Sequence, residues 1–318
     1  MKPETSYLLR RLLTGLPAIV LLLAAVFALI QLLPGGPEDY LAQSLSEAAA
    51  PLRPITASGL SAEQVEQLRQ QLGQDLSAID QFTRLAMGYL SGDLGQSLFY
   101  QRPVASLLSE RAPLSALLGF SALALAAALA IPLGLFQAMR RGGASDRILS
   151  IFTLVLVSIP GFVLGALLIH WFSLESGLGW GPVACLATGF FASLVLITRA
   201  SALQELNRPY VWTAQAMGLA PLTLLRGQVL PNLFLPVLAA MPSWFVAAAV
   251  SGALLIETLF GVEGMGLLAV EALARRDYPV VMAVVFVASL VSLLAKLIID
   301  IAYGWVDPRV RIHVRAQA

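Results

Sequence analysis

Tyr210-Val211-Trp212-Thr213-Ala214-Gln215-Ala216-Met217-Gly218 is a short segment of mixed polarity in a chain otherwise built for lipid, and Leu230-Pro231 follows twelve residues after Gly218. Ala214 and Ala216 are small enough to let a short helix approach another protein closely. Gly218 lets the backbone turn, and Pro231 fixes the return of the chain toward the next apolar run. Tyr210 and Trp212 are the large side chains that anchor protein interfaces. Two readings stand on these residues alone: a docking handle for a second protein, or a loop helix at the headgroup level, where Trp and Tyr are also common.

The surroundings of that segment set the class of the protein. Of 318 residues, 58% are hydrophobic and 12% charged, whereas soluble domains carry about 25% charged residues. Six apolar stretches run approximately Leu12 to Leu33, Leu114 to Met139, Ile148 to Phe172, Val183 to Thr198, Phe234 to Leu259 and Val280 to Tyr303. Most reach the ~20 residues that a helix needs to cross the hydrocarbon, and Val183 to Thr198, with Gly189 inside it, is the weakest. The runs are continuous rather than alternating, which excludes a membrane barrel and predicts an all-α integral membrane protein of six transmembrane helices.

Basic residues in short connections orient the spans. Lys2, Arg10 and Arg11 precede the first stretch; Arg140, Arg141 and Arg147 lie between the second and third; Arg199, Arg208 and Arg226 between the fourth and fifth; Arg309, Arg311 and Arg315 in the tail. With six spans all four groups fall on one side, so both termini are predicted to be cytoplasmic. Arg275 and Arg276 are the main exception. The first apolar stretch is too long for a cleaved signal peptide and ends in Pro34-Gly35-Gly36-Pro37, so it reads as a retained anchor. The expected layout is 1–33 for the N-terminus and first span, 34–113 for an extracytoplasmic loop with short helices, 114–303 for a five-helix core containing a cytoplasmic loop at 199–233, and 304–318 for a cytoplasmic tail.

Within the first loop, Ser61 to Gly73 carries Val65, Leu68 and Leu72 at helical spacing, with Ser61 as N-cap and Gly73 as terminator. Phe82, Leu85, Met87, Tyr89 and Leu90 form a second amphipathic stretch, lying along the membrane surface or packed on the spans. A structural cap and a platform for an extracytoplasmic partner are both open readings of this loop.

The missing chemistry narrows the function. The chain has no Gly-x-x-x-x-Gly-Lys-Ser/Thr phosphate loop, no His-Glu-x-x-His, a single cysteine, Cys185, and two histidines, His170 and His313. No bound cofactor or metal and no catalytic residue is expected, and nucleic acid is not expected as a partner. Ionisable groups are nearly absent from the span centres, which disfavours transport driven by an ion gradient. Power from a partner becomes the stronger reading.

Separated motifs then carry a resemblance. They are Gly92-Asp93-Leu94-Gly95-Gln96-Ser97 with Pro103-Val104, Ser158-Ile159-Pro160, the segment from Tyr210 to Gly218 with Leu230-Pro231, Glu257-Thr258-Leu259-Phe260 with Gly264-x-Gly266, Asp277-Tyr278-Pro279-Val280-Val281, and Asp307-Pro308-Arg309-Val310-Arg311. In order and spacing the chain resembles the membrane subunits of bacterial ABC-type dipeptide and oligopeptide importers. The resemblance implies a type I importer permease fold in the bacterial inner membrane and alternating access. It implies as partners a homologous second permease, two ATPase subunits that bind ATP and Mg, and a periplasmic substrate-binding protein. The docking residues would be Tyr210, Trp212, Ala214, Ala216, Gly218, Leu230 and Pro231. Candidate pathway or gate residues are Ser158, Pro160, Pro236, Pro242 and Glu257; packing kinks explain each proline equally well, and a rim salt bridge explains Glu257. Gln215 and Met217 stand where the family carries basic residues, Trp212 where the loop motif is acidic, and Glu263 where proline is usual. An importer for nickel or another small solute, and a carrier or channel without ATPases, are the alternative functions.

Overall fold

The computed structural model describes residues 3–32, 76–172, 179–233, 244, 248 and 254–306. Its regular elements are helical: α1 Pro3–Leu32, α2 Ala78–Leu90, α3 Val104–Met139, α4 Ala144–Ser158, α5 Gly161–Phe172, α6 Trp180–Leu206, α7 Pro209–Ala216, α8 Pro221–Leu224, α9 Leu254–Phe260, α10 Met265–Ala274 and α11 Tyr278–Val306, with a π-helical turn over Leu225–Val229. Among the described residues, four helices are long and apolar enough to cross a bilayer: Leu13–Leu32 of α1, α3, α6 and Tyr278–Ile298 of α11. The pair α4 and α5 makes a fifth candidate, bent by 92°.

That bend falls inside the third apolar stretch, read as one span from Ile148 to Phe172, at the proline read as a candidate kink. Ile159 is extended (φ −94°, ψ 117°), as the residue before a proline is driven to be, and α4 ends at Ser158. The carbonyl of Pro160 then accepts the N–H groups of Val163 (2.9 Å) and Leu164 (3.4 Å), starting α5 in a new direction. Pro160 therefore breaks the helix outright.

The weakest stretch in the sequence becomes a long helix, α6, for a physical reason. Of its apolar window 56% is buried, against 11% for α1. A helix packed against protein uses small residues for close approach and needs less hydropathy than one facing lipid. The stretch Phe234 to Leu259 lies mostly outside the described residues, as do Pro236, Pro242, the helix read over Ser61 to Gly73, and the motifs at Pro34 and Asp307.

The chain divides into two compact units, Met1–Leu12 with Ala112–Leu267 and Val291–Ala318, and Leu13–Arg111 with Leu268–Leu290. In the first, an alanine row on α3 (Ala122, Ala126, Ala130, Ala138) joins Cys185, Phe190, Leu194 and Val195 of α6 and Ile256 and Phe260 of α9 in one buried core. At Gly134 α3 lies close against α6: a Cβ there would lie 2.8 Å from Thr198 Cβ and 2.9 Å from the Val195 carbonyl oxygen. Asp146 in the first turn of α4 takes Arg199 of α6 in a two-point ion pair (2.9 and 3.0 Å) and also accepts the Gly142 N–H at 3.0 Å.

In the second unit, α2 confirms the second amphipathic stretch. Ser77 caps it, accepting the Asp80 N–H at 3.2 Å. Phe82 packs on Phe27 of α1 (centroids 5.6 Å apart) and Tyr89 on Phe286 of α11 (4.8 Å).

Candidate functional site

The segment from Tyr210 to Gly218 is built as a small self-packed unit between α6 and the chain that follows. Pro209 opens α7 at a position where a missing N–H costs nothing. Gly218 closes it with φ +80°: its N–H reaches the Gln215 carbonyl (2.9 Å) and the Leu219 N–H reaches back to Ala214 (3.2 Å), the two bonds of a Schellman cap. The chain returns through α8 and the π-helical turn, so Val211 and Ala214 of α7 meet Leu224 and Val229 in a cluster of their own, with Leu206 against it.

Glu205, in the last turn of α6, fastens this hairpin. Its carboxylate takes the Tyr210 hydroxyl, the Asn232 amide at 3.0 Å and the Arg208 guanidinium at 3.6 Å. Burial and the bond to Glu205 push the Tyr210 phenol above its ordinary range. What remains for a partner is an outward face of Trp212 (60% exposed) and Met217 (77%), with Gln215 and Ala216 also exposed. The predicted residues thus divide. Tyr210 is part-exposed with its hydroxyl engaged, and Trp212 and Ala216 are exposed. Ala214 is spent inside the hairpin, and Leu230 packs against the main core. Pro231 is exposed at the return, and Ser158 is exposed with its hydroxyl turned back to the Leu154 carbonyl at 2.9 Å.

Glu257 sits elsewhere and is wholly buried. Its carboxylate accepts Ser115 Oγ at 2.6 Å and the N–H groups of Gly266 (2.7 Å) and Leu267 (3.1 Å), while Ser115 Oγ accepts the Met265 N–H at 2.7 Å. A carboxylate and a serine together satisfy three consecutive donors at the start of α10, where the helix dipole also favours negative charge. The glycines of Gly264-x-Gly266 exist for this: a Cβ on Gly264 would overlap Glu257 and Ser115, and one on Gly266 would lie 2.6 Å from Leu254 Cα. The carboxylate is not at a rim.

Asp277 repeats the device in the other unit. It takes the Ser97 hydroxyl and the N–H groups of Leu98 (3.1 Å) and Phe99 (3.2 Å), and Ser97 Oγ accepts the Tyr100 N–H at 2.9 Å. The Gly92 to Ser97 motif is thereby clasped to the Asp277-Tyr278-Pro279 motif, 180 residues away. Gly92 (φ +83°) and Gly95 (φ +78°) supply the turns, and Asp93 Oδ1 accepts the Gly95 N–H at 2.9 Å. Tyr100 donates to Glu271 at 2.6 Å, and Arg275 lies 3.8 Å over the Phe99 ring. Burial and the Glu271 bond push the Tyr100 phenol upward. Sequence reading found Ser97, Glu257 and Asp277 as motif members but missed Glu205, Asn232, Ser115 and the Asp146–Arg199 pair. Hydroxyls and carboxylates far apart in sequence carry no local signal of pairing. Among the described residues no cluster could hold a metal ion.

A family model described as "Binding-protein-dependent transport system inner membrane component" matches residues 130–312. The peptidoglycan transport system permease protein YejB of Agrobacterium fabrum is 31% identical over 98% of this chain and 99% of its own length. The glutathione transport system permease protein GsiC of Pectobacterium atrosepticum is 30% identical over 96% of this chain and 99% of its own. Among solved structures, the inward-facing MetNI methionine ABC transporter aligns with a TM-score of 0.56 at 18% identity, over 63% of this chain and 96% of that one, a likeness that shows the fold alone.

Proposed function

Because the chain belongs to the binding-protein-dependent transport system inner membrane components, and is thus the permease subunit of an ABC importer, we propose that its cargo is a peptide or peptide-bearing molecule and that it forms half of the pathway. The names of its relatives support this cargo: peptidoglycan, peptide and glutathione permeases align over nearly their full length. A homologous permease forms the other half, a periplasmic binding protein delivers cargo, and two ATPases bind and hydrolyse ATP with Mg. The chain itself supplies no chemical step. Both termini face the cytoplasm, following the basic connections.

The observation that carries the mechanism is the hairpin of α7. It is internally packed, capped at Gly218 and tied to α6 by Glu205, yet it leaves Trp212 and Met217 exposed. Such a rigid knob with an apolar tip is what a lever needs: an ATPase cleft that grips the tip moves α6 with it. Gln215 and Met217 in place of basic residues make that contact less charged and more apolar than is usual in the family. Uptake of isotopically labelled di- and tripeptides in cells lacking this chain, then complemented with it, tests the cargo. Restoration by the native chain is expected; unchanged peptide uptake on deletion, with loss of nickel uptake, would assign the nickel reading.

A further inference from the structure

The helix α2 presents an apolar face that is exposed among the described residues. Ile79 (78% exposed), Leu90 (80%) and Met87 (64%) fall within one sector of the helix, set by its 100° per residue. Thr83 shares the sector, but its hydroxyl donates to the Ile79 carbonyl at 2.7 Å, so no polar group there asks for water. Asp80 and Arg84 follow along one edge. The opposite sector, Phe82, Leu85 and Tyr89, packs inward.

The depth of this helix decides its surroundings. Phe82 meets Phe27, and Gln81 accepts from Gln31 at 2.9 Å; Phe27 lies five residues before the end of α1 at Leu32, roughly 7 Å inside it at 1.5 Å per residue. Tyr89 meets Phe286, eight residues into α11, about 12 Å past its polar start at Asp277 and Tyr278 on the same scale. Contacts that far along two spans put α2 below the membrane surface. A face at that depth, apolar and with its one hydroxyl satisfied within the helix, meets the rule for lipid exposure. We infer that α2 is a membrane-embedded interfacial helix whose Ile79, Met87 and Leu90 contact lipid acyl chains. On this view α2 lies inside the bilayer along its apolar face, with Asp80 and Arg84 at the headgroups.

Spin labels on single cysteines test this. Ile79→Cys, Met87→Cys, Leu90→Cys and Arg84→Cys are placed in the full chain within its complex in lipid nanodiscs; the native chain, with only buried Cys185, sets the labelling background. Collision with oxygen and with a water-soluble nickel chelate is read by power saturation. The expected result is a several-fold excess of oxygen over nickel collisions at 79, 87 and 90, and the reverse preference at 84. Nickel collisions equal to or above those of oxygen at 87 and 90 would place the face in water and overturn the inference. Labels there that are immobile and shielded from both reagents would overturn it in favour of a protein partner. Addition of the binding protein leaves an acyl-facing label unchanged; protection that appears only with that protein contradicts the lipid assignment.

Discussion

Two buried carboxylates do the same work at the level of single residues. Glu257 and Asp277 each pair with a serine hydroxyl and gather consecutive backbone N–H groups. Hydrogen bonds to a charged group contribute about 1.5–3 kcal/mol each, and a donor left buried and unmet costs about 1–3 kcal/mol. Glu257→Ala is therefore expected to destabilise the chain by roughly 3 kcal/mol or more, and Ser115→Ala by about 1–2 kcal/mol. The order of thermal inactivation in detergent checks it; a Glu257→Ala chain as durable as the native one would return Glu257 to an exposed rim. Asp277→Ala should behave like Glu257→Ala by the same count. Glu257, Ser97 and Asp277 were legible as motif letters and the glycines at 264 and 266 as a spacing, but neither Ser115 nor the reason for the glycines was. That reason is steric and lies in residues brought together from positions over 100 apart in sequence.

At the scale of elements, the sequence shows its long helices and hides their breaks and partners. Continuous apolar runs make α1, α3 and α11 readable, whereas the bend at Pro160 depends on what one proline does to the residue before it. The small-residue composition of α6 reads as weakness in lipid and is fitness for packing. Asp146 and Arg199 tie α4 to α6. Removing either leaves a partly buried charge unmatched, at about 3–5 kcal/mol in buried settings; the pair Asp146→Ala with Arg199→Ala should lose less than the sum of the single changes, as a double-mutant cycle on thermal inactivation would register. In the hairpin of α7, Gly218 holds φ +80°, a conformation that costs other residues roughly 1–2 kcal/mol. Gly218→Val is expected to loosen the Schellman cap and make a cysteine at the buried position 214 reactive to a maleimide, while a cysteine at the exposed position 216 reacts in either background. Equal, slow reaction at 214 with and without Gly218→Val would show that the cap does not hold the hairpin.

For the whole molecule, composition assigns a multi-span membrane protein and the ordered motifs resemble importer permeases before any contact is known, and the family match and near full-length relatives agree with that resemblance. On the function proposed above, the hairpin is the point where the motion of an ATPase partner would reach the chain. Trp212→Ala should therefore leave the chain folded and in the membrane while lowering both ATPase stimulation by cargo and uptake, because its ring is 60% exposed and belongs to no buried cluster. A variant that lost uptake through misfolding would also lose its place in the membrane, so membrane content separates the two.

The most direct test of the account replaces Trp212 with a photo-crosslinking amino acid in the native complex, purified from its own membrane in mild detergent, and identifies by mass spectrometry what the residue joins. The account predicts an ATPase subunit crosslinked at position 212, in a complex that also holds a second permease. A chain recovered alone, or crosslinked at that position only to lipid, would contradict it and leave the hairpin as a surface helix of a carrier that works without ATPases.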